Sequence, residues 1–282
     1  MDRYNKLRSC YTYKSLPSAD NCQERMIKVF IDVIGVDGSK QCGCNLCSML
    51  LGESVLLDAG SASMLSRQQQ RNVEMVLLTH AHLDHVLELG FMIDATVALR
   101  DEPLRVMGSK ACIEIVRTHY MNDLIWPDFS RIKTSIGPAL VYETIEDRKW
   151  FELPGGLTAW AEPVCHGAGA RGFLFRSETG SILHTGDTGP TCSIWEKAKE
   201  LDDLRMIIAE ISFPDEKTDI AIASNHLTPS LLERELDKLN RPDVPVFAFH
   251  LKPWERHGIE KDVARRFRDR IVMLRSGDRL AF

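Results

Sequence analysis

The stretch VEMVLLTHAHLDH, residues 73–85, decides how the rest of the sequence is interpreted. It begins with a continuous apolar run, which predicts a buried β-strand. The strand leads directly into a polar turn that carries His80, His82, Asp84 and His85. On a tight turn the side chains of residues 80 and 82 can point towards one metal ion, while those of residues 84 and 85 point towards a second ion nearby. One short segment can therefore serve two ions. Imidazole nitrogen and carboxylate oxygen are natural ligands of zinc, manganese and non-haem iron.

A polar loop at the start of a helix is the plainer interpretation of the same segment. Asp84 would then cap the helix, and the histidines would face solvent. Four such side chains within six positions favour a metal site instead, because burying them without a cation would leave unpaired polar charge that costs several kcal/mol. The sequence therefore predicts a metal centre at this strand-to-helix turn.

Residues 79–85 fit the HxHxDH signature and resemble the metallo-β-lactamase superfamily, in which an upstream aspartate accompanies the motif; here it is Asp58 of LLDAG. The resemblance continues with His166 in PVCHGAG, Asp187 in ILHTGDTG and His250 at the end of VPVFAFH. It implies an α/β protein with a metallo-β-lactamase-like αββα sandwich and a metal-dependent hydrolase activity. It also implies that Asp58 supports the turn through backbone hydrogen bonds.

The resemblance further implies a pair of divalent metal ions, for which zinc is expected and manganese or iron are alternatives. Their predicted ligands form two sets joined by one bridging carboxylate: His80, His82 and His166 for the first ion, Asp84, His85 and His250 for the second, and Asp187 between them. Each ion would keep room for a shared hydroxide.

The remainder of the sequence predicts a layered α/β protein. Apolar segments punctuated by turn residues predict strands in both halves, among them Leu104–Met107 and Val244–Phe249. A helix is predicted from Ser109, as its cap, through Tyr120. Strands with helices on the outside of each half indicate an αββα sandwich, although periodicity alone leaves other α/β arrangements open. We expect one domain over residues 1–282, with residues 1–24 as an N-terminal extension.

The composition limits the classes of partner. The 282 residues are 44% hydrophobic, which is enough for a large core. A net charge of -5 disfavours tight nonspecific binding of a nucleic acid polymer, so a small-molecule substrate fits better. The density of cysteine is modest and no apolar run reaches about 18 residues, which predicts a cytoplasmic protein without a membrane partner. A homodimer is the simplest expectation for its assembly.

Two short blocks narrow the substrate. Residues 224–229, SNHLTP, and residues 122–129, NDLIWPDF, resemble segments of the class II cyclic-nucleotide phosphodiesterases, whose metal motif also reads THxHLDH. The resemblance implies a binuclear phosphodiesterase that opens cAMP or cGMP to the 5'-monophosphate. The predicted catalytic residues are His226 and Asp84, and Asp84 is also one of the predicted metal ligands. The predicted substrate-binding residues are Asn225, Trp126 and Phe129.

These residues also have plainer interpretations. His226, at the start of a helix whose positive end favours phosphate, would serve the leaving ribose oxygen, or else cap the helix or pack as a neutral ring. Asn225 would orient the phosphate. Trp126 and Phe129 would sandwich a purine or simply seal the core.

Other functions share the metal motifs. A ribonuclease Z-like tRNA 3'-endonuclease is the first alternative, and the acidic charge disfavours it. A thioester or lactone hydrolase is the second, because an activated hydroxide also attacks carbonyl carbon. From a different class, the chain could be a metal-stabilised binding or regulatory module, although a structural site has no need of an open water position.

Residues 41–48, QCGCNLCS, depart from the phosphodiesterase pattern, which has a Gly/Ser-rich approach to its Asn-Leu strand. The three cysteines Cys42, Cys44 and Cys47 raise the alternative of a second zinc site. Their spacing is not a CxxC pair repeated elsewhere, so a loop followed by a buried strand cysteine is the favoured interpretation.

Overall fold

The computed structural model describes residues 29–282, so the N-terminal extension predicted at residues 1–24 lies outside the described residues. The strands of the described residues are β1 (Phe30–Gly35), β2 (Ser48–Leu51), β3 (Val55–Leu57), β4 (Met75–Leu77), β5 (Leu104–Gly108), β6 (Lys133–Thr134), β7 (Gly137–Pro138), β8 (Leu140–Thr144), β9 (Trp150–Leu153), β10 (Leu157–Pro163), β11 (Arg171–Ser177), β12 (Gly180–His184), β13 (Leu204–Glu210), β14 (Val246–Phe249), β15 (Ile271–Met273) and β16 (Arg279–Ala281).

The α-helices of the same part of the chain are α1 (Arg67–Asn72), α2 (Leu83–Val86), α3 (Leu89–Thr96), α4 (Lys110–His119), α5 (Ser193–Lys199), α6 (Thr218–Ala223), α7 (Pro229–Leu239) and α8 (Arg256–Phe267). Within residues 29–282, none of these helices is long and apolar enough to cross a membrane.

The strands form two seven-stranded sheets. The first has the spatial order β16-β1-β2-β3-β4-β5-β8 and the second the order β15-β14-β13-β12-β11-β10-β9, while β6 and β7 pair by themselves. Strands β3, β4, β5 and β8 run parallel in the first sheet, as do β12 to β15 in the second. Because β10 pairs antiparallel with β11, and β11 antiparallel with β12, β10 points the same way as β12.

Three apolar clusters show how the layers are stacked. Between the sheets, Val33 and Leu57 of the first pack with Phe173, Phe175 and Phe247 of the second. The outer face of the first sheet packs against helices α3 and α4, and the outer face of the second against α5, α7 and α8. The predicted αββα sandwich is therefore confirmed.

Local signals account for the best-predicted elements. The side chain of Ser109 accepts a hydrogen bond from the backbone N–H of Cys112 and caps α4, as its sequence predicts. Thr228 caps α7 in the same way, with Pro229 at the first helical position. The predicted strand-to-helix turn leads into two helices, α2 and α3, and α2 already begins at Leu83 within the metal motif. The three-residue strands β15 and β16 are too short to show a pattern of alternation, and they were not predicted.

Candidate metal centre

The predicted ligands lie at the carboxyl ends of strands in both sheets. The motif of residues 79–85 follows β4 of the first sheet, and His166, Asp187 and His250 follow β10, β12 and β14 of the second. Strands that run the same way present their carboxyl ends at one edge, so the loops that follow them can meet there. Residues far apart in the chain are thereby brought to one place.

The first half-site consists of His80, His82 and His166. One ring nitrogen from each lies within 4.8 Å of the others, and His166 Nε2 is 3.1 Å from His82 Nδ1. His80 is buried, whereas His82 is exposed and His166 is half-buried. The set therefore has one enclosed side and one side open to a solute.

The second half-site consists of Asp84, His85 and His250, and Asp187 lies between the two half-sites. His250 Nε2 is 3.2 Å from Asp84 Oδ2. Asp187 Oδ2 is 2.9 Å from His250 Nε2, 3.3 Å from His85 Nε2 and 3.7 Å from His80 Nε2. Each of the seven predicted ligands thus lies beside at least one other, and Asp187 lies between the two half-sites.

Three buried polar atoms in this cluster make no hydrogen bond: His80 Nε2, His85 Nε2 and Asp187 Oδ1. A buried polar atom without a partner costs about 1–3 kcal/mol. Cations coordinated by these atoms would remove that cost, and nitrogen and carboxylate oxygen are suitable ligands. The residues present therefore fit a pair of divalent ions.

The two half-sites differ in protonation. Burial lowers the pKa of His80, His82 and His166, so these rings are neutral and offer lone pairs. Burial also opposes charge on His250, but the Asp187 and Asp84 carboxylates outweigh it and raise its pKa to about 9. The second half-site thus holds a proton on His250 where a cation would bind, and a cation bound there would displace that proton.

Asp58 fixes the orientation of a ligand as well as the turn. Its Oδ1 accepts a hydrogen bond from the Thr79 backbone N–H at 2.8 Å, the kind of bond that the resemblance implies. Its Oδ2 also accepts from His85 Nδ1 at 2.7 Å, which the sequence did not reveal. The proton therefore stays on Nδ1 of His85, and Nε2 faces the second half-site.

Replacing Asp58 by alanine should weaken metal binding at the second half-site by about 10–100-fold, because the His85 ring loses the partner that sets its tautomer and angle. Chelator competition measures the affinity. Asp101→Ala is the matched control, since the Asp101 side chain is 88% exposed and lies outside the site. Equal affinities of the two variants would show that Asp58 does not position His85.

Asn225 acts through its backbone carbonyl. His166 Nδ1 donates to the carbonyl oxygen of Asn225 at 2.9 Å, so Nε2 of that ring is free for the first half-site. Asn225 has a φ of 54°, Asp58 of 56° and His250 of 68°, all in the left-handed region. Backbone strain of this kind is typical of functional sites. The Asn225 side chain is exposed, and its predicted contact with phosphate stays a prediction.

His226 is buried beside the predicted ligands and is held by two residues, Glu210 and Ser212, that the sequence did not reveal. Its Nδ1 lies 3.2 Å from Glu210 Oε1 and 3.2 Å from Ser212 Oγ. Its ring stacks on that of His250 with centroids 5.1 Å apart. Glu210 is fully buried at the carboxyl end of β13, and an acidic residue ending an apolar strand was the signal that could have identified it.

The aromatic residues of the 122–129 block lie in the packing of the first sheet's outer layer. Phe129 is 4% exposed within that apolar cluster, which favours a packing role, and the binding role predicted for it stays a prediction. Trp126 packs against Gly90 and edge-to-face on Phe91, with ring centroids 4.7 Å apart. The plainer interpretation, that these rings seal the core, describes their contacts better.

The cysteine-rich segment does not form a site of its own. Cys42 is exposed, Cys44 is half-buried and Cys47 is buried. Within the described part of the chain, neither Cys42 nor Cys44 belongs to a group of three converging ligand atoms. The favoured interpretation, a loop followed by a buried cysteine, agrees with this arrangement.

A family model described as a beta-lactamase superfamily domain matches residues 53–249, which include the whole motif, Asp187 and Glu210. The chain belongs to that superfamily. Its sandwich aligns with the metallo-beta-lactamase fold protein YhfI from Bacillus subtilis at a TM-score of 0.71 and 15% identity, covering 90% of this chain and 100% of YhfI. The fold of the metallo-β-lactamase superfamily is thereby established for this member.

Two curated relatives with different printed activities are similar to this member of the metallo-β-lactamase superfamily. A probable 3',5'-cyclic-nucleotide phosphodiesterase from Yersinia pestis is 28% identical over 78% of this chain and 77% of its own length. A ribonuclease Z from Thermococcus gammatolerans is 29% identical over 45% of this chain and 38% of its own length.

Unliganded yeast PDE1 superposes with a TM-score of 0.74 at 17% identity, covering 91% of this chain and 100% of the yeast chain. Together with the family match, the curated phosphodiesterase relatives identify this superfamily member as a metal-dependent hydrolase.

Proposed function

We propose that the protein hydrolyses the 3',5'-phosphodiester of a cyclic nucleotide, cAMP or cGMP, to the 5'-monophosphate. The observation that carries the proposal is the buried pair of His226 and Glu210 at the edge of the two half-sites. A ring nitrogen of His226 lies within 4.8 Å of ligand atoms of His166 and Asp187. A proton donor thus stands beside the position at which a scissile phosphate would be held.

Divalent ions in the half-sites would supply a water of lowered pKa and positive charge for the phosphoryl oxygens. The first ion would be held by His80, His82 and His166, and the second by the Asp84 set, with Asp187 between them. We propose zinc, because imidazole-rich sites suit it, and manganese or iron remain alternatives.

His226 would protonate the leaving oxygen. Opening a 3',5'-cyclic phosphate to the 5'-monophosphate breaks the bond between phosphorus and the 3'-oxygen, which must leave with a proton. Glu210 and Ser212 engage Nδ1 of His226, which leaves Nε2 to hold that proton and deliver it. Glu210 Oε1 also accepts from the Leu227 backbone N–H at 2.8 Å, so the carboxylate is fixed in place.

The open side of the centre determines the direction of approach. His82 is exposed, Asp84 and His166 are half-buried, and His80 and His85 are completely buried. A substrate would therefore reach the metal pair past His82 and Asp84. The net charge of -5 disfavours a polyanionic RNA more than a cyclic nucleotide, which is a small monoanion.

The relative from Yersinia pestis supports a cyclic nucleotide, since the similarity extends over 77% of its length. The ribonuclease Z relatives make cleavage of a tRNA precursor the competing activity, but there the similarity covers 38% of the Thermococcus protein. The proposed partner is thus a small phosphodiester.

Purified protein should convert cAMP or cGMP to the 5'-monophosphate, and prior chelation of the metal should abolish the reaction. Product identity by chromatography separates the 5'- from the 3'-monophosphate. A tRNA precursor, a thioester and a lactone are assayed in parallel under the same metal loading. Efficient turnover of one of those compounds, with cyclic nucleotides untouched, would overturn the proposal.

A further inference from the structure

A buried thiol faces the second half-site. Cys47 lies immediately before β2 and is 3% exposed. Its Sγ lies within 4.8 Å of one ring nitrogen of His85 and one of His250. Both rings belong to the predicted ligand set, so the sulfur borders the same space as the nitrogen atoms.

The backbone holds this thiol in position. The carbonyl oxygen of Cys47 accepts a hydrogen bond from the Gly60 N–H at 3.0 Å, which ties it to the segment that follows Asp58. The preceding loop is fixed too, because Asn45 N–H donates to Asp37 Oδ2 at 3.0 Å and Arg256 pairs with Asp37 Oδ1. The direction of the side chain is therefore built into the fold.

The Cys47 thiol donates only a long hydrogen bond among the described residues. Its contact with a hydrogen-bond acceptor is the Asp37 carbonyl oxygen at 3.8 Å, which is long even for a thiol donor. Beside it, His85 Nε2 and Asp187 Oδ1 are fully buried and make no hydrogen bond. A cation coordinated by the sulfur and these ligand atoms would satisfy all of them.

We propose that Cys47 Sγ is a further ligand of the cation in the second half-site. On binding, the thiol releases its proton to solvent, and the thiolate donates the retained electron pair to the ion. A thiolate is a soft ligand that selects zinc over manganese, so Cys47 makes the second half-site prefer zinc. This proposal rests on the metal centre of the proposed function and is independent of the substrate.

X-ray absorption at the zinc edge tests the proposal on the intact protein. The zinc-loaded wild type should show a sulfur scatterer at about 2.3 Å from zinc. The triple variant Cys42→Ser, Cys44→Ser, Cys165→Ser removes the neighbouring thiols and should retain that scatterer. Cys47→Ser should lose it, and its zinc affinity should fall by roughly 10–100-fold while its manganese affinity stays unchanged. Cys112→Ser is the matched control, because it alters a buried thiol in the apolar cluster between the first sheet and its helices, away from the half-sites.

Two results would overturn the proposal: zinc surrounded by nitrogen and oxygen alone in the wild type, or a sulfur signal that disappears in the triple variant. If Cys47→Ser does not fold, the absorption spectra of the wild type and the triple variant still test whether Cys47 binds zinc. Absorption does not depend on turnover. A sulfur scatterer in a protein inactive on cyclic nucleotides would refute the substrate alone, and its absence from an active protein would refute the role of Cys47 alone.

Discussion

Replacing Asp187 by alanine should empty both half-sites and lower kcat/KM on the cyclic nucleotide by at least about 10³-fold, or about 4 kcal/mol of transition-state stabilisation. Asp187 Oδ2 is within 3.7 Å of one ring of the first half-site and two rings of the second, so its loss should affect both ions. Elemental analysis of the dialysed protein measures the bound metal, and initial rates measure the activity.

Asp187→Asn and Asp202→Ala complete this experiment. The asparagine keeps the volume of Asp187 and tests whether the effect comes from the charge rather than from a cavity. Asp202 is an exposed residue in a turn, and its replacement should change neither metal content nor rate. Retention of both ions by Asp187→Ala would show that Asp187 does not bridge the half-sites.

Replacing His226 by alanine should lower turnover by about 10²–10⁴-fold, the usual contribution of a general acid, and leave the metal content unchanged. The reason is that Glu210 and Ser212 turn the ring so that Nε2 is free to carry a proton. Rates under saturating substrate, together with elemental analysis, separate the two effects. His119→Ala is the control, because His119 is an exposed histidine at the end of α4.

Loss of a metal ion from His226→Ala would assign the ring to the ligands instead. That outcome is a real alternative, because His226 also lies near the nitrogen atoms of His166 and His250. A substrate with a good leaving group offers a second comparison, since its departing oxygen needs no proton. The defect of His226→Ala should therefore be much smaller on such a substrate.

The parts of this protein that could be predicted are those recorded in short stretches of sequence. His80, His82, Asp84 and His85 lie within six positions, and the apolar strand before them fixes their place at a sheet edge. His166, Asp187 and His250 were predicted through the resemblance to the superfamily, whose order of motifs they follow, and the structure places all three in the same cluster. Local spacing alone identified only the four residues of the first motif.

The groups around these ligands could not be predicted in the same way, because their contacts join distant residues. Asp58 and His85 are 27 positions apart, and His166 and Asn225 are 59 apart. Asn225 also acts through a carbonyl oxygen, which every residue has, so its identity carries no signal. Phe129 illustrates the opposite difficulty: an aromatic ring in a loop looks the same in sequence whether it faces a ligand or the core.

Each half-site draws its predicted ligands from both sheets, because His80 and His82 lie beside His166, and Asp84 and His85 each lie beside His250. A bound ion is then a cross-link between the two layers of the sandwich, which otherwise meet through apolar contacts. Ligand at 100 times its dissociation constant adds about 2.7 kcal/mol to the stability of the folded state. The supply of metal should therefore govern resistance to heat and proteases, and hence the lifetime of the protein as well as its chemistry.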